Sequence, residues 1–267
     1  MSYLVIKCGG STLDKLPQTF YRNIVTLAGE YHLKPVMVHG GGPMISSLLS
    51  ELNIQTSFVD GMRVTTEEVL NVVEMVLSGS TNKHIVRSIQ ANGGNAVGLS
   101  GVDGMLLEAK PLHENGELGY VGAIQSVQSD ILTTLLDKGK VPVISPIAAD
   151  TKGQHWNINA DLTAAAIAEA LHAPLYMITN VSGVLKNGRV IPHLYPEKVD
   201  EMINAGEIDG GMIPKVQAAL DCLQKGINEV VVLNGLTPDG LLQIADGEEI
   251  GTSFSLHHEQ PSTNLLS

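Results

Sequence analysis

Lysines beside paired glycines are the residues of this sequence best suited to chemistry, because together they can surround an anion with charge and with backbone N–H groups. Lys7 opens KCGGS at 7–11, just after a short apolar run, and Gly9 and Gly10 let the backbone turn and approach an anion closely. The spacing fits neither a Walker A loop nor a GxGxxG fingerprint, and a Gly-Gly in this position also serves as a plain turn. HGGGP at 39–43 repeats the theme. Gly41 and Gly42 lead into a helix that Pro43 can start, so unpaired N–H groups and the helix dipole point the same way. In DGGMIPKV at 209–216, Lys215 falls in the first turn of a helix, where it opposes the macrodipole. A bound anion would offset that conflict.

Two further segments suit an acidic substrate. Arg63 lies in DGMRVT at 60–65, a Gly-containing hairpin pattern rather than a solvated helix face. A guanidinium there can grip a carboxylate at two points, at roughly 1.5–3 kcal/mol per charge-assisted bond; a partnerless surface arginine is the plainer alternative. NINAD at 157–161 precedes the Ala-rich stretch TAAAIAEAL. Asn159 suits the N-cap and Asp161 the first turn, which leaves the Asn157 amide without a structural reason. His39 reads as structural, and neither Cys8 nor Cys222, the two cysteines of the chain, has metal-ligand spacing around it.

Alternating strands and helices must position these residues. YLVIKC (3–8), PVMVHG (35–40), AVGLSG (96–101), VPVIS (141–145), PLYMIT (174–179) and EVVVLN (229–234) are short apolar runs bounded by Gly, Asn or Pro, as buried strands are. Helical patterns fall near 18–31, 43–53, 66–92, 129–139, 160–171, 196–205 and 212–226. That alternation predicts an α/β fold with a largely parallel sheet covered on both faces. Segments 54–65 and 104–125 read as hairpins, and NGRV at 187–190 as another hairpin turn. Strands inserted at the carboxyl edge of such a sheet form lids over the ligand crevice. A composition shift near 146–158 divides the chain into a lobe over 1–150 and a lobe over 151–267, and the tail from 257 is expected to fray.

Composition narrows the partners. Of 267 residues 43% are hydrophobic and 16% charged, an ordinary globular balance. A formal net charge of −12 and 4% aromatics argue against a nucleic-acid partner, which needs a basic face and stacking platforms. No signal peptide or bilayer-spanning run is visible, so a reducing cytoplasm is the expected location.

Taken in order, KCGGS, HGGG, GMRVT, NINAD, TNVSGV at 179–184 and GGMIPK are similar to the motif set of the amino acid kinase family, closest to its acetylglutamate kinase members in arginine biosynthesis. The resemblance covers nearly the whole chain and implies a three-layer αβα sandwich around a mainly parallel sheet. It implies a homodimer that transfers the γ-phosphoryl of ATP to the γ-carboxylate of N-acetyl-L-glutamate, giving N-acetylglutamyl 5-phosphate. The first lobe would take the acyl amino acid and the second the ATP. By the same resemblance Lys7 and Lys215 flank the transferring phosphoryl group and Asp161 holds both ammonium groups. Gly41, Gly42, Arg63 and Asn157 bind the substrate. Gly9, Gly10, Asn180, Val181, Gly183, Lys186, Gly210, Gly211 and Met212 bind the nucleotide. Mg2+ is held mainly through the phosphates, with no residue assigned to a metal.

Two departures from the family pattern stand out. Asn180 occupies a position where the family usually carries an acidic residue, which bears on nucleotide or metal binding. The first strand begins at about residue 3, without the N-terminal helix that joins arginine-inhibited relatives into hexamers; a dimer that does not answer to arginine by that route is the expectation. A kinase for carrier-bound aminoadipate shares the motif set, and a catalytically silent sensor is the alternative from another class, although both lysines and Asp161 are present.

Overall fold

The computed structural model describes residues 2–113 and 116–256. The tail expected to fray from 257 lies outside them, as does the tip of the hairpin expected over 104–125. An eight-stranded sheet runs through the molecule in the order His193–Leu194, Thr252–Phe254, Val230–Asn234, Leu175–Thr179, Tyr3–Cys8, Lys34–His39, Val141–Ser145, Ala96–Ser100. Its six longest strands are the predicted ones and all pair in parallel. Only Thr252–Phe254, antiparallel to Val230–Asn234, and its parallel neighbour His193–Leu194 run the other way. Helices flank both faces, the αβα sandwich expected from the alternation.

Strand periodicity decides which face each side chain joins. In Tyr3–Cys8, Leu4, Ile6 and Cys8 pack with Phe20, Ile24 and Leu27 of the helix Gln18–Gly29. Val5 faces the other way, among Val36, Val38 and the alanines of the helix Ala160–Leu171. Small side chains let that helix lie close: Ala164, Ala165 and Ala168 are all buried. Lys7 shares the face of Val5 and therefore meets the first turn of the same helix.

Additional strands frame the carboxyl edge. Ile147–Ala149 and His155–Asn157 form a hairpin inside a four-stranded sheet with Leu107–Pro111 and Gly122–Val127, and this hairpin spans the composition shift at 146–158. Phe58–Val59 pairs with Met62–Arg63 across Asp60 and Gly61, both at positive φ. Leu185–Lys186 pairs with Arg189–Val190 across Asn187-Gly188, again both at positive φ, as a type I′ turn demands.

One expected helix differs in kind. The segment 66–92 is α-helical over Glu67–Glu74 and Asn82–Ala91 but winds as a π-helix over Met75–Thr81. A wider turn inserts an extra residue and moves the apolar stripe, which a search for one 3.6-residue period does not register.

Asn159 caps Ala160–Leu171 as predicted, its Oδ1 accepting from the amides of Asp161 (2.7 Å) and Leu162 (3.3 Å). Replacing that cap by alanine, Asn159→Ala, lowers the unfolding free energy by about 1 kcal/mol in urea titrations with the slope unchanged.

Candidate active site

The two glycine loops leave neighbouring parallel strands and meet at the carboxyl edge. A Cβ built on Gly10 would lie 2.8 Å from the amide nitrogens of both Gly41 and Gly42, and one on Gly40 would lie 3.2 Å from the nitrogen of Gly10. No side chain fits between them. Gly41 is constrained again from behind, where a Cβ would come within 2.6 Å of Leu77 Cδ2 on the π-helix. Gly42 begins the helix Gly42–Glu51, whose first amides have no intrahelical acceptor.

Two cavities of about 250 Å3 each open on either side of this contact, and Lys7 and Asp161 line both. Lys7 Nζ lies 2.7 Å from Asp161 Oδ1, which holds the ammonium in the common wall. The first cavity gathers Gly10, Gly40, Gly41, Gly42, Arg63 and Asn157 with an apolar wall that includes Ile45, Leu77 and Val121. The second gathers Gly9, Ser11, Thr12, Thr179, Asn180 and Lys215. A larger hollow of about 530 Å3, lined by His32, Lys34, Asn95 and Asp137 among others, lies at the amino ends of the strands, and none of the sequence motifs reaches it.

Arg63 is buried, not a surface arginine. Its guanidinium donates to Ser46 Oγ (2.7 Å), the Gly42 carbonyl (3.3 Å) and Thr56 Oγ1 (3.5 Å), and stacks over Phe58 at 4.6 Å. Burial pulls its pKa down, and among the described residues no carboxylate pairs with it. A desolvated cation held by neutral partners favours a carboxylate from outside. Asn157 Nδ2 donates to Thr65 Oγ1 (3.1 Å), which in turn donates to the Arg63 carbonyl (2.8 Å). The substrate-side residues are thus tied together through Thr65.

Lys215 lines the second cavity in the first helical turn predicted for it, with no ion pair among the described residues. The expected hold of Asp161 on both lysines is realised in this geometry for Lys7 alone. Other expected nucleotide contacts scatter. Gly10 lies on the first cavity rather than the second, while Val181, Gly183, Lys186, Gly210, Gly211 and Met212 line neither. Lys186 pairs with Glu207 at 2.9 Å, and Met212 packs against the core. Gly183 has a packing reason of its own: at φ +134° a Cβ would meet Thr252 Oγ1 at 2.6 Å.

Sequence reasoning missed Ser11, Thr12 and Thr179 on the second cavity, and Ser46 and Thr56 behind Arg63; short hydroxyl side chains carry no periodic signal. Cys8, inside KCGGS, is no nucleophile, since burial pushes its thiol up to about 12.

His39 is fully buried and burial pushes its pKa down to about 4. Nδ1 donates to the Gly40 carbonyl at 3.0 Å.

A family model of the amino acid kinase family matches residues 2–234. This chain belongs to the amino acid kinase family. An acetylglutamate kinase of Oceanobacillus iheyensis is 47% identical over 256 residues, covering 94% of this chain and 96% of the relative. Among solved structures of this fold, a Streptococcus mutans protein superposes with a TM-score of 0.80 at 28% identity, covering 96% of this chain and 99% of that one. Carbamate kinase of Giardia lamblia bound to AMP-PNP superposes at 0.66 and 16% identity, covering 96% and 99%, a likeness of fold alone.

Because His39 binds its proton far less readily folded than the ordinary 6.5, stability attached to its neutral form is present above about pH 6.5 and lost as pH falls towards about 4. Chemical denaturation at stepped pH will show the stability gap between the protein and His39→Asn shrinking across that interval, by roughly 3 kcal/mol.

Proposed function

We propose that this amino acid kinase phosphorylates the γ-carboxylate of N-acetyl-L-glutamate with MgATP, giving N-acetylglutamyl 5-phosphate for arginine biosynthesis. The observation that carries the reading is the pair of cavities sharing Lys7 and Asp161, one equipped for a carboxylic acid and the other for a phosphate chain. The extensive identity to an acetylglutamate kinase supports the choice of acid.

In this reading Arg63 and Asn157 hold the α-carboxylate and amide, and the γ-carboxylate enters among the Gly10, Gly41 and Gly42 amides. Carboxylate attack on a γ-phosphate brings two anions together, so positioning and charge neutralisation dominate the barrier. Lys7 from the common wall and Lys215 from the second cavity supply that charge from two sides. A carboxylate is already ionised at neutral pH and needs no general base, consistent with a buried, neutral His39. Mg2+ would be carried mainly on the nucleotide's phosphates in the second cavity, where it would neutralise phosphate oxygens alongside Lys7 and Lys215. Residues 1–150 supply most of the acceptor cavity and residues 151–267 most of the nucleotide cavity, with the Lys7–Thr12 loop reaching both. A cytoplasmic homodimer completes the reading: both cysteines are free and buried, in keeping with a reducing compartment, and the homodimer is carried over from the family resemblance alone.

ADP release from MgATP, with the acyl phosphate trapped by hydroxylamine, distinguishes acceptors: turnover with N-acetylglutamate but not glutamate, aspartate or N-acetylaspartate is expected. Activity on another of these acids, or on none, overturns the substrate assignment. Lys215→Ala is expected to lower kcat by about 10²–10³-fold with little change in acceptor KM. Arg63→Ala is expected chiefly to raise acceptor KM, by about 10–100-fold. The opposite pattern would mean the two cavities have been exchanged.

A further inference from the structure

Behind the glycine loop and outside both cavities lies a polar cluster that the phosphoryl-transfer chemistry does not use directly. Asn82 starts the helix Asn82–Ala91 where the π-helix ends, and it is completely buried. Its Nδ2 faces the Val143 carbonyl (2.8 Å), His39 Nε2 (3.2 Å) and the Leu99 carbonyl (3.3 Å). Its Oδ1 accepts from Lys83 Nζ at 3.0 Å, and that ammonium also donates to the Gly98 carbonyl at 3.1 Å. Asn82 therefore ties together the carboxyl ends of three adjacent parallel strands. Gly98 makes room for it, since a Cβ there would fall 1.9 Å from Asn82 Oδ1.

The contacts fix proton positions. Carbonyl oxygens only accept, so the amide nitrogen of Asn82 is the atom facing Val143 and Leu99. His39 Nε2 then accepts from Asn82, which leaves the ring proton on Nδ1 to donate to the Gly40 carbonyl at 3.0 Å. Gly40 and Gly41 share one planar trans peptide unit, in which C=O and N–H point in opposite directions. His39 lies in the interior on the carbonyl side, while Gly41 lines the acceptor cavity. Fastening the carbonyl aims the amide.

We propose that Asn82 and His39 are positioning residues that lock the Gly40–Gly41 peptide so that the Gly41 N–H is directed at the acceptor carboxylate or transferring phosphoryl group. The proposal rests on the kinase reading for the identity of that anion. Neither side chain touches substrate; each acts through the backbone. The glycine loop has no side chain with which to hold its own peptide planes, so the strand ends beneath it do so.

Three replacements of His39 separate positioning from mere packing. His39→Leu removes the donor to Gly40; His39→Gln keeps a polar group towards Asn82 but none at the Nδ1 position; His39→Asn keeps a donor at that position. Loss of kcat by up to about 100-fold in the Leu and Gln variants is expected, with ATP KM unchanged and most of the loss recovered in His39→Asn. In 1H–15N spectra the Gly41 amide resonance should move in His39→Leu and His39→Gln and stay near its original position in His39→Asn. Equal impairment of all three variants, or an unmoved Gly41 resonance in the Gln variant, overturns the proposal. Should the Leu variant not fold, the Gln and Asn pair makes the same comparison. If the unmodified protein fails to phosphorylate N-acetylglutamate, the functional reading falls by itself, and the amide resonance still decides whether the peptide is locked.

Discussion

The site depends on one backbone contact, the approach of Gly10 to Gly41 and Gly42, which leaves no space for a single carbon atom between two loops. The loops issue from Tyr3–Cys8 and Lys34–His39, adjacent strands of a parallel sheet whose spacing is set by their hydrogen bonds. Parallel pairing sends both loops to the same edge, and glycine at each point of contact lets them touch there. The amides of two different crossovers thereby reach one small volume, which a single loop with side chains could not fill so densely.

Charge is placed by the same geometry. Alternation along Tyr3–Cys8 turns Lys7 towards the helix Ala160–Leu171, and a cap at Asn159 starts that helix so that Asp161 stands within 2.7 Å of the ammonium. Chain-wide acidity and a cationic site are therefore compatible: of 16 basic residues set against 28 acidic ones, a few are concentrated where an anion must react. Arg63 belongs to a separate hairpin and is held by neutral oxygens, so its charge is not consumed inside the protein.

Much of this was legible in the sequence because it follows from short-range rules. Apolar runs bounded by glycine located the six long strands, and cap chemistry placed the start of the helix at 160. Paired glycines after strands located both loops. Longer-range features were not legible. The two-residue strands at 193 and 252 pair only because tertiary structure brings them to the sheet edge. The π-helix hid inside an otherwise regular amphipathic pattern. TNVSGV and GGMIPK were recognisable as motifs, yet Gly183 proves to be packed against Thr252 and Lys186 paired with Glu207, relations that no spacing encodes. Asn82 left a faint signal, an asparagine within a helical stretch where its side chain competes with the backbone, but its three strand-end partners lie 17 to 61 residues away in the chain.

A fold in which Arg63 and Lys215 have no anionic partner among the described residues leaves part of its electrostatic stabilisation to be completed by bound anions. By mass action, every ligand that neutralises those cations in the folded state also protects the fold. A chain so stabilised opens less often, and any cleavage that requires the opened form slows in proportion. The charges that would lower a reaction barrier thus double as the point at which a bound anion holds the fold closed.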